Sequence, residues 1–179
     1  MASKVETLTS TLIAETTGVP AEEHEAVEDI EIIFSTVHDI GADGISRCKG
    51  LRGLTLIDTG LRRIRGLDAV GTSLERLCLS DQNLTKIEGL HHLPHLRELL
   101  LHQNAIAKIE GLDGCPRLRR LWLFANRLTR VENLHACGDL AELWLQENRI
   151  SRVGGLDALV HLQSLALAGN RIADYKDLQ

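Results

Sequence analysis

The stretch LRELLLHQNAI at residues 96–106 returns 22 residues later as LRRLWLFANRL at 118–128, and again as LAELWLQENRI at 140–150. In each copy, two leucines flank a single variable residue. Because successive side chains of a β-strand point to opposite faces, both leucines lie on the same face of a short strand. The stretch therefore predicts a series of equivalent strands, each with an apolar side and an outward side.

The repeat extends in both directions from this stretch. We number each copy from its first leucine, so that position 1 falls on six residues: Leu51, Leu74, Leu96, Leu118, Leu140 and Leu162. Leucine occupies positions 4 and 6 in all six copies, and leucine or isoleucine occupies position 11. No copy can bury these side chains alone, so the copies must stack on one another.

This pattern resembles the leucine-rich-repeat family. The resemblance implies an α/β solenoid: a right-handed superhelix with a parallel concave sheet, short loops or 3₁₀ turns on the convex side, and an N-terminal helical cap. The family's asparagine falls at position 9, as Asn104, Asn126, Asn148 and Asn170. It is expected to bond backbone groups where each strand turns into a loop. Thr59 and Gln82 take this position in the first two copies, where we expect less regular turns.

Finer features narrow the resemblance. The 22-residue length and the I-E-G-L segments at 87–90 and 109–112 are similar to a class typified by a regulatory subunit of protein phosphatase 1. The L-W-L-x-x-N segments resemble leucine-rich repeat-containing protein 9 and its flagellate relatives. These resemblances imply a phosphatase catalytic subunit or an axonemal or cytoskeletal protein as partner. They also imply a cytoplasmic setting, with a cilium, a flagellum or the cytoskeleton as its finer location.

The N-terminal segment differs in composition from the repeats. Residues 1–40 carry nine acids and one base, whereas the whole chain has a net charge of −5. Ser3 and Glu6 form a capping-box pattern, Gly18 is typical of a helix end, and Pro20 of a helix start. We therefore predict an acidic, mostly helical cap over residues 1–40, with its helices between 3 and 35, followed by the repeats over 41–179. Within the cap, we expect apolar residues to seal the first strand of the repeats, as helix or as a short irregular strand: Ile30, Ile32, Ile33 and Phe34. The acidic segment could also serve as a docking surface.

The two ends of the chain carry further expectations. No capping helix follows the last copy, which predicts a fragment of a longer protein. The chain starts at Met1 without a basic and apolar leader, and no run approaches 18 apolar residues. The four cysteines form no C-x-x-C pair. We expect a protein of a reducing compartment, without a membrane segment or a cofactor.

The outward positions of the strands carry the candidate binding site. Position 5 reads Thr55, Cys78, Leu100, Trp122, Trp144 and Ala166, and position 7 reads Ile57, Ser80, His102, Phe124, Gln146 and Ala168. The core does not need large aromatic side chains at these positions, and an exposed aromatic patch usually marks a protein interface. We predict a protein-binding site formed by Trp122, Trp144, Phe124, Leu100, Arg120, Glu142, Glu98, His102, Gln146 and Glu147. The alternative is that the tryptophans pack on each other; on the binding interpretation, replacing both with alanine should leave the melting temperature nearly unchanged.

Charged rows flank this patch. Position 3 alternates in sign from Arg76 to Glu142, which predicts ion pairs between neighbouring strands. Position 13 is basic in five copies, which could attract RNA, but acids at position 15 offset three of these bases and no aromatic residues alternate with them. Nucleic acid is therefore the weaker hypothesis.

Two other clusters in the sequence do not indicate a metal or catalytic site. His91, His92 and His95 are close in sequence, but they lack a nearby cysteine or a defined carboxylate partner, so we predict no metal site. Ser80 and Cys78 neighbour His102, yet a catalytic pair also needs an orienting third group and oxyanion donors. We therefore predict no catalytic residues.

Overall fold

The computed structural model describes residues 6–173, apart from the side chains of Glu6, Ala42 and Asp43. The N-terminal part contains β1 (Glu6–Thr7), α1 (Ser10–Thr17), a 3₁₀ helix (Ala21–Ala26), β2 (Asp29–Ile33), β3 (Val37–Asp39) and α2 (Ala42–Ile45). The repeats contain β4 (Gly53–Ile57), a second 3₁₀ helix (Leu67–Val70), β5 (Arg76–Cys78), β6 (Glu98–Leu100), β7 (Arg120–Trp122), β8 (Arg130–Val131), β9 (Glu142–Trp144), β10 (Arg152–Val153) and β11 (Ser164–Ala166).

Seven of these strands form one parallel sheet, in the order β2, β4, β5, β6, β7, β9, β11. Two small parallel pairs, β1 with β3 and β8 with β10, lie outside it. Each turn of the chain adds one strand beside the previous one, which confirms the predicted solenoid. Of the helices in residues 6–173, none is long and apolar enough to cross a membrane.

The repeated leucines build the core, as the spacing predicts. Leu77, Leu99, Leu121 and Leu143 occupy position 4 and stand side by side in the sheet, each at most 1% exposed. Leu165, at the same position of the last strand, is 36% exposed. The difference arises because the inner strands are covered on both sides, whereas β11 has only β9 beside it.

From the second copy onward, an amide side chain at position 9 bonds the turn of the preceding copy. Asn126 accepts a hydrogen bond from the Ile106 backbone N–H at 2.9 Å, and its Nδ2 donates to the carbonyl of Leu101 at 2.9 Å. Gln82 makes the equivalent bonds, from the Leu61 N–H at 2.8 Å and to the Leu56 carbonyl at 3.0 Å. The less regular turn that we predicted at Gln82 is therefore wrong, because a glutamine amide reaches the same groups.

The N-terminal cap is partly helical, as predicted, but its helix begins later than expected. Thr9 is the N-cap of α1, with Oγ1 accepting from the Leu12 N–H at 3.2 Å, and Gly18 ends the helix at φ 73°. Ser3 of the predicted capping box lies outside the described residues, and Glu6 lies in β1. Pro20 precedes the first 3₁₀ helix, as its position predicts.

Of the two alternatives for the apolar residues after Asp29, a helix or a short strand, the structure has the strand, so the favoured helix over 3–35 is wrong for this part. Residues 29–33 form β2, the edge strand of the main sheet, and pair with β4 from Asp29 beside Gly53 to Ile33 beside Ile57. Val27, Ile30, Ile32 and Val37 are buried at positions 1, 4, 6 and 11 of an additional copy. Phe34 has a φ of 54°, like position 8 of later copies, where φ is 50° at Asp58 and 52° at Ala125. The sheet therefore begins inside the acidic segment that we predicted as a mostly helical cap.

Candidate protein-binding face

The register of the sheet places the predicted outward rows as expected. Cys78, Leu100, Trp122 and Trp144 stand side by side on strands β5, β6, β7 and β9. Their neighbours in sequence on either side are buried leucines, so these four side chains lie on the face away from the core. We call this surface the open sheet face.

The aromatic residues of the open sheet face form one connected cluster. The rings of Trp122 and Trp144 stack with centroids 4.2 Å apart and an interplanar angle of 2°. His102 stacks on Phe124 at 4.4 Å and 14°. Trp122 joins the two stacks, with its ring centroid 6.5 Å from Phe124 and 6.2 Å from His102. The two ring stacks are tilted against each other, with angles of 46° between Trp122 and Phe124 and 54° between Trp122 and His102.

This packing corrects the expectation of freely exposed tryptophans. Both Trp122 and Trp144 are half-buried, as are Leu100 and Phe124. The rings cover each other because neighbouring strands lie only about 4.8 Å apart. The alternative that the two tryptophans pack on each other is therefore confirmed, and so is their position on the face of the sheet away from the core.

Three polar atoms within this cluster have no hydrogen-bond partner. They are His102 Nδ1, Trp122 Nε1 and Gln146 Oε1, and each atom is buried. A buried polar atom without a partner costs about 1–3 kcal/mol, so native proteins contain few of them. Only one other such side-chain atom occurs among the described residues, His24 Nδ1 in the N-terminal part. The cluster thus concentrates unsatisfied polar groups on the face that carries the aromatic rings.

His102 has a distinct electrostatic environment. Burial lowers the pKa of His102, and the Asp81 carboxylate only partly opposes this effect. The neutral imidazole is therefore the favoured form in the folded chain at neutral pH. No hydrogen bond among the described residues joins His102 to Ser80, whose Oγ lies 3.6 Å from Cys78 Sγ. The His102 ring is therefore available for stacking, but it is not hydrogen-bonded to the Ser80 hydroxyl.

A row of ion pairs borders the aromatic cluster. Two of the pairs predicted at position 3 form, those of Arg120 with Glu98 and Glu142, whereas Arg76 pairs with Asp29 and not with Glu98 as predicted. Arg120 donates from Nη1 to Glu98 Oε1 at 2.8 Å and from Nε to Glu142 Oε1 at 3.1 Å. These partners, Glu142 foremost, raise the pKa of Arg120. At the other end, Arg76 donates to Asp29 Oδ1 at 2.6 Å.

The bond between Arg76 and Asp29 crosses β4 at a glycine. A Cβ atom at Gly53 would overlap the Asp29 carboxylate and press on the Arg76 guanidinium. Asp29 was missed in the sequence because we assigned its segment to a helix. Its position two residues after Val27, equivalent to Arg76 two residues after Leu74, is the signal that could have found it.

The remaining predicted residues lie at the edges of this arrangement. Gln146 is half-buried beside Phe124 at position 7, and Glu147 is exposed in the turn after β9, with a φ of 56°. Two apolar residues that we expected to seal the first strand, Ile33 and Phe34, are instead 41% and 80% exposed. Ile33 is the last residue of the edge strand β2 and Phe34 follows it, and both lie several strands away from the tryptophans.

The basic row at position 13 is partly neutralised. Lys108 Nζ lies 3.7 Å from Glu110, and Arg130 Nη1 lies 3.8 Å from Glu132. Strands β8 and β10 place Arg130 beside Arg152. The row exists as predicted, and acids at position 15 contact two of its members.

Comparison with known proteins supports the repeat architecture. A family model described as leucine-rich repeats in two copies matches residues 72–114 and 94–136. No curated protein sequence matches the chain.

Several solved structures have a similar fold. Internalin C2 from Listeria monocytogenes is 22% identical with a TM-score of 0.67, and the match covers 96% of this chain and 87% of that one. A leucine-rich-repeat protein from Leptospira interrogans is 21% identical with a TM-score of 0.74, over 84% of this chain and 39% of that one. TLR13, in a complex with ssRNA13, is 20% identical with a TM-score of 0.78, over 90% of this chain and 23% of that one.

Several of these solved structures are much longer than this chain, which matches only part of them. The chain spans 44% of a second Listeria internalin, which is 20% identical with a TM-score of 0.66 over 83% of this chain. At these identities, the likeness concerns the fold.

Proposed function

We propose that the chain is a non-catalytic module that binds a partner protein on its open sheet face, because leucine-rich repeats match residues 72–114 and 94–136 and this face carries a cluster of stacked aromatic rings. The single observation that carries the proposal is the cluster itself: Trp122 and Trp144, the chain's two tryptophans, lie together outside the core. Tryptophan is enriched among the residues that dominate binding energy at protein interfaces.

The unsatisfied polar atoms add chemical detail to this proposal. Trp122 Nε1 is a donor and Gln146 Oε1 is an acceptor, and neither has a partner among the described residues. A protein partner offers both complements in every peptide unit, a carbonyl oxygen and an N–H group. Both atoms are covered in this arrangement, so the rings must shift to admit a partner. The cost of the unsatisfied atoms favours such a shift.

The setting of this module is proposed from the narrower resemblance. The 22-residue copies and the L-W-L-x-x-N segments are similar to axonemal and flagellate proteins, so we propose a cytoplasmic scaffold or adaptor in a cilium, a flagellum or the cytoskeleton. Regulation of a Ser/Thr phosphatase is the alternative that the same class of repeats implies. Identification of the bound partner distinguishes the two.

In the test, the wild type and two double variants are each immobilised and used as baits to capture a binding protein. Trp122→Ala/Trp144→Ala removes the central stack, and Arg130→Ala/Arg152→Ala removes two neighbouring bases of the position 13 row as a matched control. Circular dichroism first establishes that both variants are folded. A captured protein is then purified, and its dissociation constant for each variant is measured by calorimetry.

We expect the tryptophan variant to bind the purified partner at least tenfold more weakly, while the arginine variant binds like the wild type. An axonemal or cytoskeletal partner supports the scaffold proposal, and a phosphatase catalytic subunit supports the alternative. Equal binding by the wild type and the folded tryptophan variant would rule out the open sheet face. Binding that is lost only in the arginine variant, and that weakens steeply with salt, would indicate a nucleic acid or acidic ligand on the basic row.

A further inference from the structure

A cluster of metal-ligating side chains lies outside the sheet, in the loops that return from strand to strand. Asp68, His91 and His92 each offer a ligand atom, and these atoms all lie within 4.8 Å of one another. His91 Nε2 lies 3.8 Å from Asp68 Oδ1, and the rings of His91 and His92 are 4.1 Å apart between centroids. The predicted absence of a carboxylate partner for these histidines is therefore wrong, because Asp68 comes from the preceding copy.

The repeat itself produces this arrangement. Asp68 and His91 both occupy position 18, so stacking of the copies places them next to each other. Asp68 lies in the second 3₁₀ helix between buried Leu67 and Val70, and the two histidines lie between buried Leu90 and Leu93. The core thus fixes the backbone on both sides of each ligand, which limits the conformations that the cluster must lose on binding.

The two loops are also packed directly against each other. A Cβ atom at Gly71 would overlap the backbone carbonyl oxygen of His92. This contact allows the end of the 3₁₀ helix to approach the histidine loop closely, with Asp68 only three residues before Gly71.

We propose that Asp68, His91 and His92 form a binding site for a zinc ion. Two imidazole nitrogens and one carboxylate oxygen are a ligand set that zinc accepts, with a water molecule completing a tetrahedron. Ligand atoms about 2.0–2.2 Å from a tetrahedral zinc ion lie about 3.4 Å from one another. The 3.8 Å between His91 and Asp68 is already close to this value, and rotation of exposed side chains supplies the remaining adjustment. Imidazole ligands favour zinc over calcium or magnesium, which prefer oxygen ligands.

The next pair of copies provides an internal comparison. His135 Nε2 lies 3.5 Å from Asp113 Oδ1, again at position 18, but Ala136 takes the place of His92. Among residues 6–173, only two ligands therefore meet there. His95 does not join the first cluster either, since its Nδ1 lies 3.1 Å from Arg117 Nη1.

The experiment measures zinc binding by the purified, tag-free chain in competition with a chromophoric chelator. Four variants are compared with the wild type: Asp68→Asn, His91→Ala, His92→Ala and, as the matched control, His135→Ala. All replaced side chains are exposed, so circular dichroism and thermal unfolding should show folded proteins. Cobalt substitution adds a spectroscopic readout of tetrahedral geometry.

We expect one zinc ion per chain, with at least tenfold weaker binding when His91 or His92 is replaced and weaker binding in the Asp68 variant. The control variant should bind like the wild type, and zinc should raise the melting temperature of both. Absence of saturable binding by the wild type would overturn the proposal. So would binding that is unchanged in the His91 and His92 variants, or that is lost in the His135 variant.

Discussion

The stacked tryptophans lead to a prediction about stability that differs from the expectation of an unchanged melting temperature. We consider Trp122→Ala, Trp144→Ala and the double variant. A fully buried tryptophan replaced by alanine costs about 3–5 kcal/mol. Both rings here are half-buried on an open face, so each single replacement should cost less, about 1–3 kcal/mol.

The two costs should not be additive. The rings stack at 4.2 Å and 2°, and a stacked aromatic pair contributes about 0.5–1.5 kcal/mol beyond the burial of its area. Each single variant loses this contribution, but the double variant loses it only once. The double variant should therefore be destabilised by about 0.5–1.5 kcal/mol less than the sum of the two single variants.

Urea unfolding followed by far-ultraviolet circular dichroism measures the four free energies of this cycle. The control is a second cycle between Cys78→Ala and Trp144→Ala, which are in the same row but three strands apart, about 14 Å. This control cycle should be additive within about 0.5 kcal/mol. Additive costs in the tryptophan cycle would refute the stacking of Trp122 on Trp144.

Three further predictions concern other parts of the structure. Asn126→Ala should destabilise the chain by about 3 kcal/mol or more in the same unfolding assay, because it leaves the Ile106 N–H and neighbouring carbonyls unpaired. A cost below about 1 kcal/mol would contradict the hydrogen bonds of the Asn126 side chain. His102→Gln should remove part of the loss of stability at acid pH, because a histidine with a lowered pKa binds fewer protons in the folded chain than in the unfolded chain. The contribution of His102 to stability is therefore present above about pH 6.5 and is lost as the pH falls below this value. Identical pH profiles of the free energy of unfolding for the variant and the wild type would exclude this. Iodoacetamide should modify the half-buried Cys78 first in the native chain, since burial raises the pKa of Cys115 to about 12; mass spectrometry that detects a second adduct equally fast would contradict it.

The register of the sheet could be read from the sequence because it depends on a rigid rule. Alternating leucines can lie on one face only if the residue between them points outward, so Trp122 between Leu121 and Leu123 had no other place. The strand at residues 29–33 followed the same rule, with Ile30 and Ile32 alternating with acids. We favoured a helix over a short strand there because the helix signals at Gly18 and Pro20 were extended too far along the chain.

Contacts between side chains on different copies were harder to predict. That Trp122 and Trp144 would be neighbours followed from the register, but their face-to-face stacking depends on side-chain rotamers that sequence spacing does not specify. The meeting of Asp68 and His91 could have been found, since both occupy position 18. It was missed because we considered partners for the histidines only within their own copy, whereas neighbouring copies together form the surface of a solenoid.

The ion-pair row limits what kind of partner the open sheet face can accept. Arg120 already bonds to both Glu98 and Glu142, so a carboxylate of a partner would have to compete with two carboxylates in place. These three residues together carry one net negative charge, and the exposed Glu147 adds another near the same end of the sheet. Exposed ion pairs contribute only about 0–1 kcal/mol each, so this row orients a partner more than it holds it. We therefore expect the aromatic cluster to supply most of the affinity, and the bordering row to favour a partner that presents a lysine or arginine beside its apolar anchor.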